Sequence, residues 1–289
     1  MFGIAILVFL IYTIGVDQII GAFKALSLLQ MLIGTGIIVF PWILGALAIY
    51  VLTEKINKAI SFRRITKQFV RSWIFGLFSP GRVGELSLIY FLKKEGFDTG
   101  QAAAVTIIDK TITTLSLAIL AIFGAAFFLS SNQAIRIIIA IVVIIILTLT
   151  FMISKKAREL VKKLMIKRYR EKVASVSENI DLLIKSAKGA IMLNAVITFL
   201  KWMINAAIVS LIVYLFGFNI SFITVLLINS VVTAISLVPI TASGLGVKES
   251  AAVFLFNSVG VPGEIAASIY LFFLILRYAF AGIATIISK

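Results

Sequence analysis

Ser79-Pro80-Gly81-Arg82-Val83-Gly84-Glu85 and Ser243-Gly244-Leu245-Gly246-Val247-Lys248-Glu249 lie 164 positions apart. They share Ser, Val and Glu at matching places, and each carries one cation, Arg82 or Lys248. Each interrupts a long apolar stretch, 72–92 in the first case and 220–259 in the second. Pro has no N–H to donate and Gly has little helix preference, so a helix should end at 79–82 and again from Pro239 through Gly246. The pieces 73–78 and 86–92 are each about 10 Å long as helices, too short to cross a bilayer, and read as arms of a re-entrant hairpin.

The rest of the chain says what solvent these hairpins occupy. Of 289 residues, 61% are apolar and 13% charged, with a mean hydropathy of +1.14. Soluble domains are about half apolar. A transmembrane helix needs roughly 20 apolar residues, and six stretches qualify: 2–20, 27–52, 100–129, 134–153, 191–216 and 264–288. The first has no basic leader and no small-residue cleavage site, so it reads as a retained helix. The expected class is an all-α polytopic integral membrane protein with a single membrane domain over 1–289.

Net charge is +15, but its placement points to membrane and not to nucleic acid. The segment 53–71 holds six Lys and Arg against Glu54, and 154–188 holds eleven against four acids. Both should be cytoplasmic by the positive-inside rule, and the connector 154–190 should lie on the anionic leaflet. Between them, 100–129 and 134–153 already return the chain to its starting side, so the first hairpin must enter and leave from the cytoplasm. The second must then enter from outside, with both termini cytoplasmic. The two halves, about 27–125 and 191–289, read as an inverted repeat with two re-entrant broken-helix hairpins, a plan known in transporters. Gly96 with Gly260, and Ala102-Ala103 with Ala266-Ala267, keep the same offset.

Charged residues within membrane helices are costly and mark function or pairing. Here they are Arg82, Glu85, Asp109, Lys110, Lys201, Lys248, Glu249 and Arg277, five cations against three anions. Thr106, Asp109, Thr113 and Ser116 fall on one helix face, as do Asn194, Thr198, Lys201 and Asn205. Helix starts after Gly-rich breaks offer free N–H groups, so Ser79, Gly81, Arg82, Ser243, Gly244, Gly246 and Lys248 suit an anion, phosphate best. Against this, Glu85 and Glu249 suit helix capping, and the cations could simply neutralise the acids. The chain has no Cys and no His, which removes thiolate and imidazole chemistry, so no enzyme activity, metal or cofactor is expected.

The paired motifs, with Asp109-Lys110 between them, resemble the flippase-like family named after the transmembrane region of lysylphosphatidylglycerol synthase. Lys110 stands where that pattern has Arg, and Thr241-Ala242 where Pro-Gly is usual. The resemblance covers nearly the whole chain and implies a stand-alone translocase for a lipid or polyprenyl-linked substrate, without the synthase domain. It carries Arg82, Glu85, Asp109, Lys248 and Glu249 over as motif positions. The expected function is thus a flippase or scramblase of the prokaryotic plasma membrane that binds a phosphate-bearing head group, with membrane lipids as partners. A homo-oligomer is left open. The alternatives are an intramembrane transferase, which would need a carboxylate base and a metal, and a non-catalytic membrane subunit.

Overall fold

The structure, a computed structural model, describes residues 2–56, 60–164, 167–238 and 240–287. Lys58, Pro239, Ser288 and Lys289, used above, lie outside the described residues. The chain is all-α: among the described residues the only strand-like pairing is an isolated antiparallel bridge between Pro80 and Ala242. Among the described residues, five helices are long and apolar enough to cross a membrane: Leu28–Thr53, Thr99–Phe128, Ala134–Met152, Lys188–Leu215 and Gly263–Ile286.

The N-terminal stretch 2–20 departs from the expected straight span. It forms α1 (Phe2–Ile14) and α2 (Val16–Lys24), bent by 85°. The hinge is Gly15 at φ 100°, a conformation that costs a residue with a Cβ and that apolar flanks do not reveal. The bend lets one segment serve two places. Gly3 of α1 packs against the Leu245 carbonyl in the second break. From α2, Phe23 meets Phe272 and the Ile19 carbonyl accepts from Ser268.

Next come α3 (Leu28–Thr53), opened by a Ser27–Gln30 capping box, and α4 (Phe62–Leu77), capped by Ser61. The first hairpin arm is therefore longer than the expected 73–78. Arg63, Arg64, Lys67 and Arg71 hid its start, because an amphipathic helix carries no apolar run. Beyond the break, a 3₁₀ turn (Val83–Ser87) leads into α5 (Leu88–Lys94). The long α6 (Thr99–Phe128) and the peripheral α7 (Ser131–Ile153) follow, then α8 (Lys155–Leu164) and α9 (Lys167–Ser186). This basic connector is not purely a surface element. Arg158 is only 1% exposed and donates to the Met152 carbonyl, Ser177 and Asp181, so α8 is locked to the end of α7 and to α9. In turn α9 packs on α6, with Ser175 over Gly100.

The second half runs α10 (Lys188–Leu215), α11 (Phe222–Ile235), the break, α12 (Val247–Asn257) and α13 (Gly263–Ile287). Its order matches α3, α4, α5 and α6. Two cores fill the bundle, and residues 164 apart hold like places in them: Ala48 and Ile212, Leu92 and Phe256, Phe97 and Val261, Ala102 and Ala266, Val105 and Ile269. The ends of α5 and α12 close alike. Gly96 (φ 94°) and Gly260 (φ 89°) follow the last turn, with Phe97 donating to the Leu92 carbonyl and Val261 to that of Phe256. This is the Schellman arrangement, which satisfies carbonyls a helix end would orphan.

The leading helices of the two halves, α3 and α10, run antiparallel. Gly36 faces Ile208 near one end, and Asn194 donates 2.7 Å to the Ala48 carbonyl near the other. Small residues permit the close approach, as membrane helix packing requires. Gly45 does the same for α3 against α4, since a Cβ there would fall 2.8 Å from Phe69 Cε1 and closer still to Cζ. Gly45→Leu should therefore destabilise by about 1–3 kcal/mol through overpacking, whereas Gly282→Leu, with open space around it, should not. Thermal unfolding of both variants in detergent checks this.

Candidate functional site: a cation-lined intramembrane cavity

Unwound backbone at membrane depth must find hydrogen-bond partners within the protein. The two breaks find most of them within their own turns, and they also bond to each other. Ser243 N donates 3.0 Å to the Ser79 carbonyl, beside the Pro80–Ala242 bridge. Ser79 and Ser243 are the same position in the two motifs, so the hairpins touch at corresponding points. Within the first tip, Ser79 Oγ accepts from Gly84 N at 2.7 Å and donates to the Gly76 carbonyl. Arg82 holds φ 60° and Ser243 φ 48°, while Gly81, Gly244 and Gly246 also have positive φ. Tight turning in both tips thus concentrates the left-handed residues where the chains meet.

Against this junction lies a cavity of about 140 Å³. Its lining includes Arg82, Lys110, Lys201, Lys248 and Arg277, together with Glu85, Asp109 and Ser243. All five cations singled out in the sequence thus converge on one space, from the first tip, α6, α10, α12 and α13. Ser79, Gly81, Gly244 and Gly246 are not on the wall; they shape the tips that hold it.

The carboxylates divide the labour unequally. Glu85 takes Arg82 at 2.6 Å through one oxygen and Lys110 at 2.5 Å through the other. Asp109, buried on α6, accepts from Asn194 Nδ2 at 3.1 Å and stands 3.6 Å from Lys110. The two polar stripes, on α6 and α10, therefore face each other. Glu249 is 2% exposed and accepts from Gly246 N at 2.7 Å, capping α12 from behind the wall. The anion site expected at the N–H groups after that break is thus partly taken by the protein's own carboxylate. After the first break, the short 3₁₀ turn replaces a helix start altogether.

This leaves cations in excess. Among the described residues, Lys201, Lys248 and Arg277 make no ion pair, and Lys201 lies 5.0 Å from the Trp202 ring centre. An intramembrane charge costs about 2.5–3.5 kcal/mol even on the lenient insertion scale. Unmet polar groups on the wall have the same character. Trp42 Nε1, Arg82 Nε, Trp202 Nε1 and Asn229 Nδ2 are enclosed without a partner, and every one is an N–H donor. Asn229 is oriented by Tyr270, whose hydroxyl donates 2.5 Å to Oδ1. Pro41 adds the opposite kind of group: it supplies no N–H to the Ile37 carbonyl, and both residues line the wall.

Sequence reasoning overlooked the aromatic side. All three tryptophans, Trp42, Trp73 and Trp202, line the cavity, and Trp42 stacks edge-on with Trp73 at 4.9 Å. The signal was there, because membrane tryptophans belong in belts at the interfaces while Trp42 and Trp202 sit mid-helix in α3 and α10. Asn229 and Tyr270 gave no comparable cue.

A carboxylate shared by two cations should be missed more than the whole cluster would be. Glu85→Gln is expected to lower stability by about 3–5 kcal/mol at most, the range for one member lost from a buried pair. The double variant Glu85→Gln/Lys110→Gln should recover part of that loss. Chemical unfolding in detergent micelles measures both.

The sequence model of the family described as the lysylphosphatidylglycerol synthase TM region matches residues 1–284. No curated protein matches the chain.

Proposed function

We propose, from the premise that the chain belongs to the lysylphosphatidylglycerol synthase TM region family, that it is a lipid translocase, a flippase or scramblase. It binds the phosphate-bearing head group of a lipid in the cavity between its two hairpins and acts on the lipid without chemical change. The observation that carries this reading is the convergence of Arg82, Lys110, Lys201, Lys248 and Arg277 on one wall with too few carboxylates to match them. The unmet N–H donors beside them ask for an acceptor-rich ligand, and a phosphate supplies only acceptors. Acyl or prenyl tails would remain in the bilayer.

Antiparallel α3 and α10, and the meeting of Ser79 with Ser243, support an inverted repeat, the architecture in which one half rocks against the other around a central site. In this reading the basic segments 53–71 and 154–188 are cytoplasmic, α1 and α2 make one bent span, and both termini face the cytoplasm of a prokaryotic cell. The chain's lack of Cys makes this topology simple to test. With membrane-impermeant maleimide, Asn132→Cys should be labelled from outside intact cells, and Glu171→Cys only after permeabilisation.

Transport is checked in proteoliposomes, with fluorescent anionic phospholipid and a quencher confined outside. Arg277→Gln and Lys248→Gln should each slow lipid movement by about tenfold, the equivalent of losing some 1.4 kcal/mol of head-group binding. Chromatography of the lipid should recover it unaltered. If both variants fold and transport at wild-type rate, the anion-site reading is wrong.

A further inference from the structure

The charge within the cavity and its surroundings specifies more than an anion. Five cations, Arg82, Lys110, Lys201, Lys248 and Arg277, are balanced by three carboxylates, Glu85, Asp109 and Glu249, if Glu249 behind the wall is counted in full. Two positive charges remain among the described residues of this region. They are not spread around the wall. Glu85 and Asp109 together serve Arg82 and Lys110. Glu249 accepts from Gly246 N through one oxygen, and its charge offsets one of the three cations Lys201, Lys248 and Arg277. The surplus therefore belongs to Lys248, Arg277 and Lys201, which lie in the second half.

A low-dielectric site holding fixed surplus charge binds best the ligand that brings it to neutrality. A phosphodiester head group brings one negative charge and leaves one cation unmet. An aminoacylated phosphodiester brings ammonium groups as well, which cancel or reverse its phosphate and add more donors to a wall whose enclosed unmet side-chain groups are already donors. A phosphate monoester or a diphosphate brings two or more negative charges and several acceptor oxygens.

We infer that the head group this cavity selects is dianionic, a terminal phosphate monoester or a diphosphate on a lipid or prenyl tail, in preference to a phosphodiester or an aminoacylated head group. The inference rests on the head-group reading above. Divided carboxylates, surplus cations and unmet donors all favour the same ligand chemistry. The division is also specific to this arrangement. The repeat position of Lys110 is Leu274 and that of Asp109 is Phe273, so the second half has no counterpart of Asp109, and the counterpart of Glu85, Glu249, caps Gly246.

The test uses the full chain in nanodiscs of zwitterionic lipid at pH 8. It is titrated with dioctanoyl phosphatidate, geranylgeranyl diphosphate, dioctanoyl phosphatidylglycerol, its lysylated form and inorganic diphosphate. The three cavity tryptophans provide the fluorescence readout, and native mass spectrometry of the same complexes gives an independent ranking. Phosphatidate and geranylgeranyl diphosphate should bind at least about tenfold more tightly than phosphatidylglycerol, a difference of 1.4 kcal/mol, with the lysylated lipid weakest. Lys248→Gln/Arg277→Gln should remove most of that preference. Equal or tighter binding of phosphatidylglycerol or the lysylated lipid overturns the dianion preference and leaves the lipid reading standing. Inorganic diphosphate binding as tightly as geranylgeranyl diphosphate assigns the site to a free anion and overturns the tail-bearing ligand. No binding of any probe overturns both readings.

Discussion

A chain that unwinds twice inside a membrane must satisfy its freed backbone groups without water. Here each unwound segment meets most of that demand in its own turn, and the two are joined by Ser243 N on the Ser79 carbonyl with Pro80 bridging Ala242. Much else follows from the pairing. It holds the tips against each other, beside the tight turns that carry Arg82 and Ser243 at positive φ, and Arg82 and Lys248 stand on the wall of one cavity. Separation of the tips would leave Ser243 N without its partner. Each half therefore depends on the other for its most vulnerable point.

The same economy explains why two look-alike glutamates behave differently. Glu85 and Glu249 hold equal places in the motifs, yet Glu249 caps Gly246 while Glu85 bridges Arg82 and Lys110. The cause lies in what surrounds them. A glycine at Gly246 leaves a bare N–H for Glu249, whereas the matching Arg82 brings its own charge, and only the first half has a lysine on the following long helix. One reading treated such carboxylates as helix stabilisers and another as members of a site. The structure gives one role to each.

Much of this was legible in the residues because Pro, Gly and buried charge have few uses in a membrane. The two breaks, their offset, the long spans from Leu28 onward and the eight intramembrane charges could all be named in advance, and seven of the charges line the cavity. Features written in apolar letters were hidden. The 85° bend at Gly15 has hydrophobic residues on both sides, and hydropathy is blind to direction. The mid-span tryptophans add to hydropathy like any apolar residue, although the N–H groups of Trp42 and Trp202 make them polar lining. The early half of α4 was hidden by its arginines and lysines, and the burial of Arg158 by a run of charges that looked wholly superficial.

The central claim is that the surplus cations are completed by a phosphate and not by the protein. An experimental density map of the chain purified in its native lipid tests it most directly. The account predicts tetrahedral density within hydrogen-bonding reach of Arg82, Lys248 and Arg277, continuous with a tail that leaves toward the bilayer. A cavity holding only water, with Lys248 and Arg277 turned onto Glu249, would contradict it.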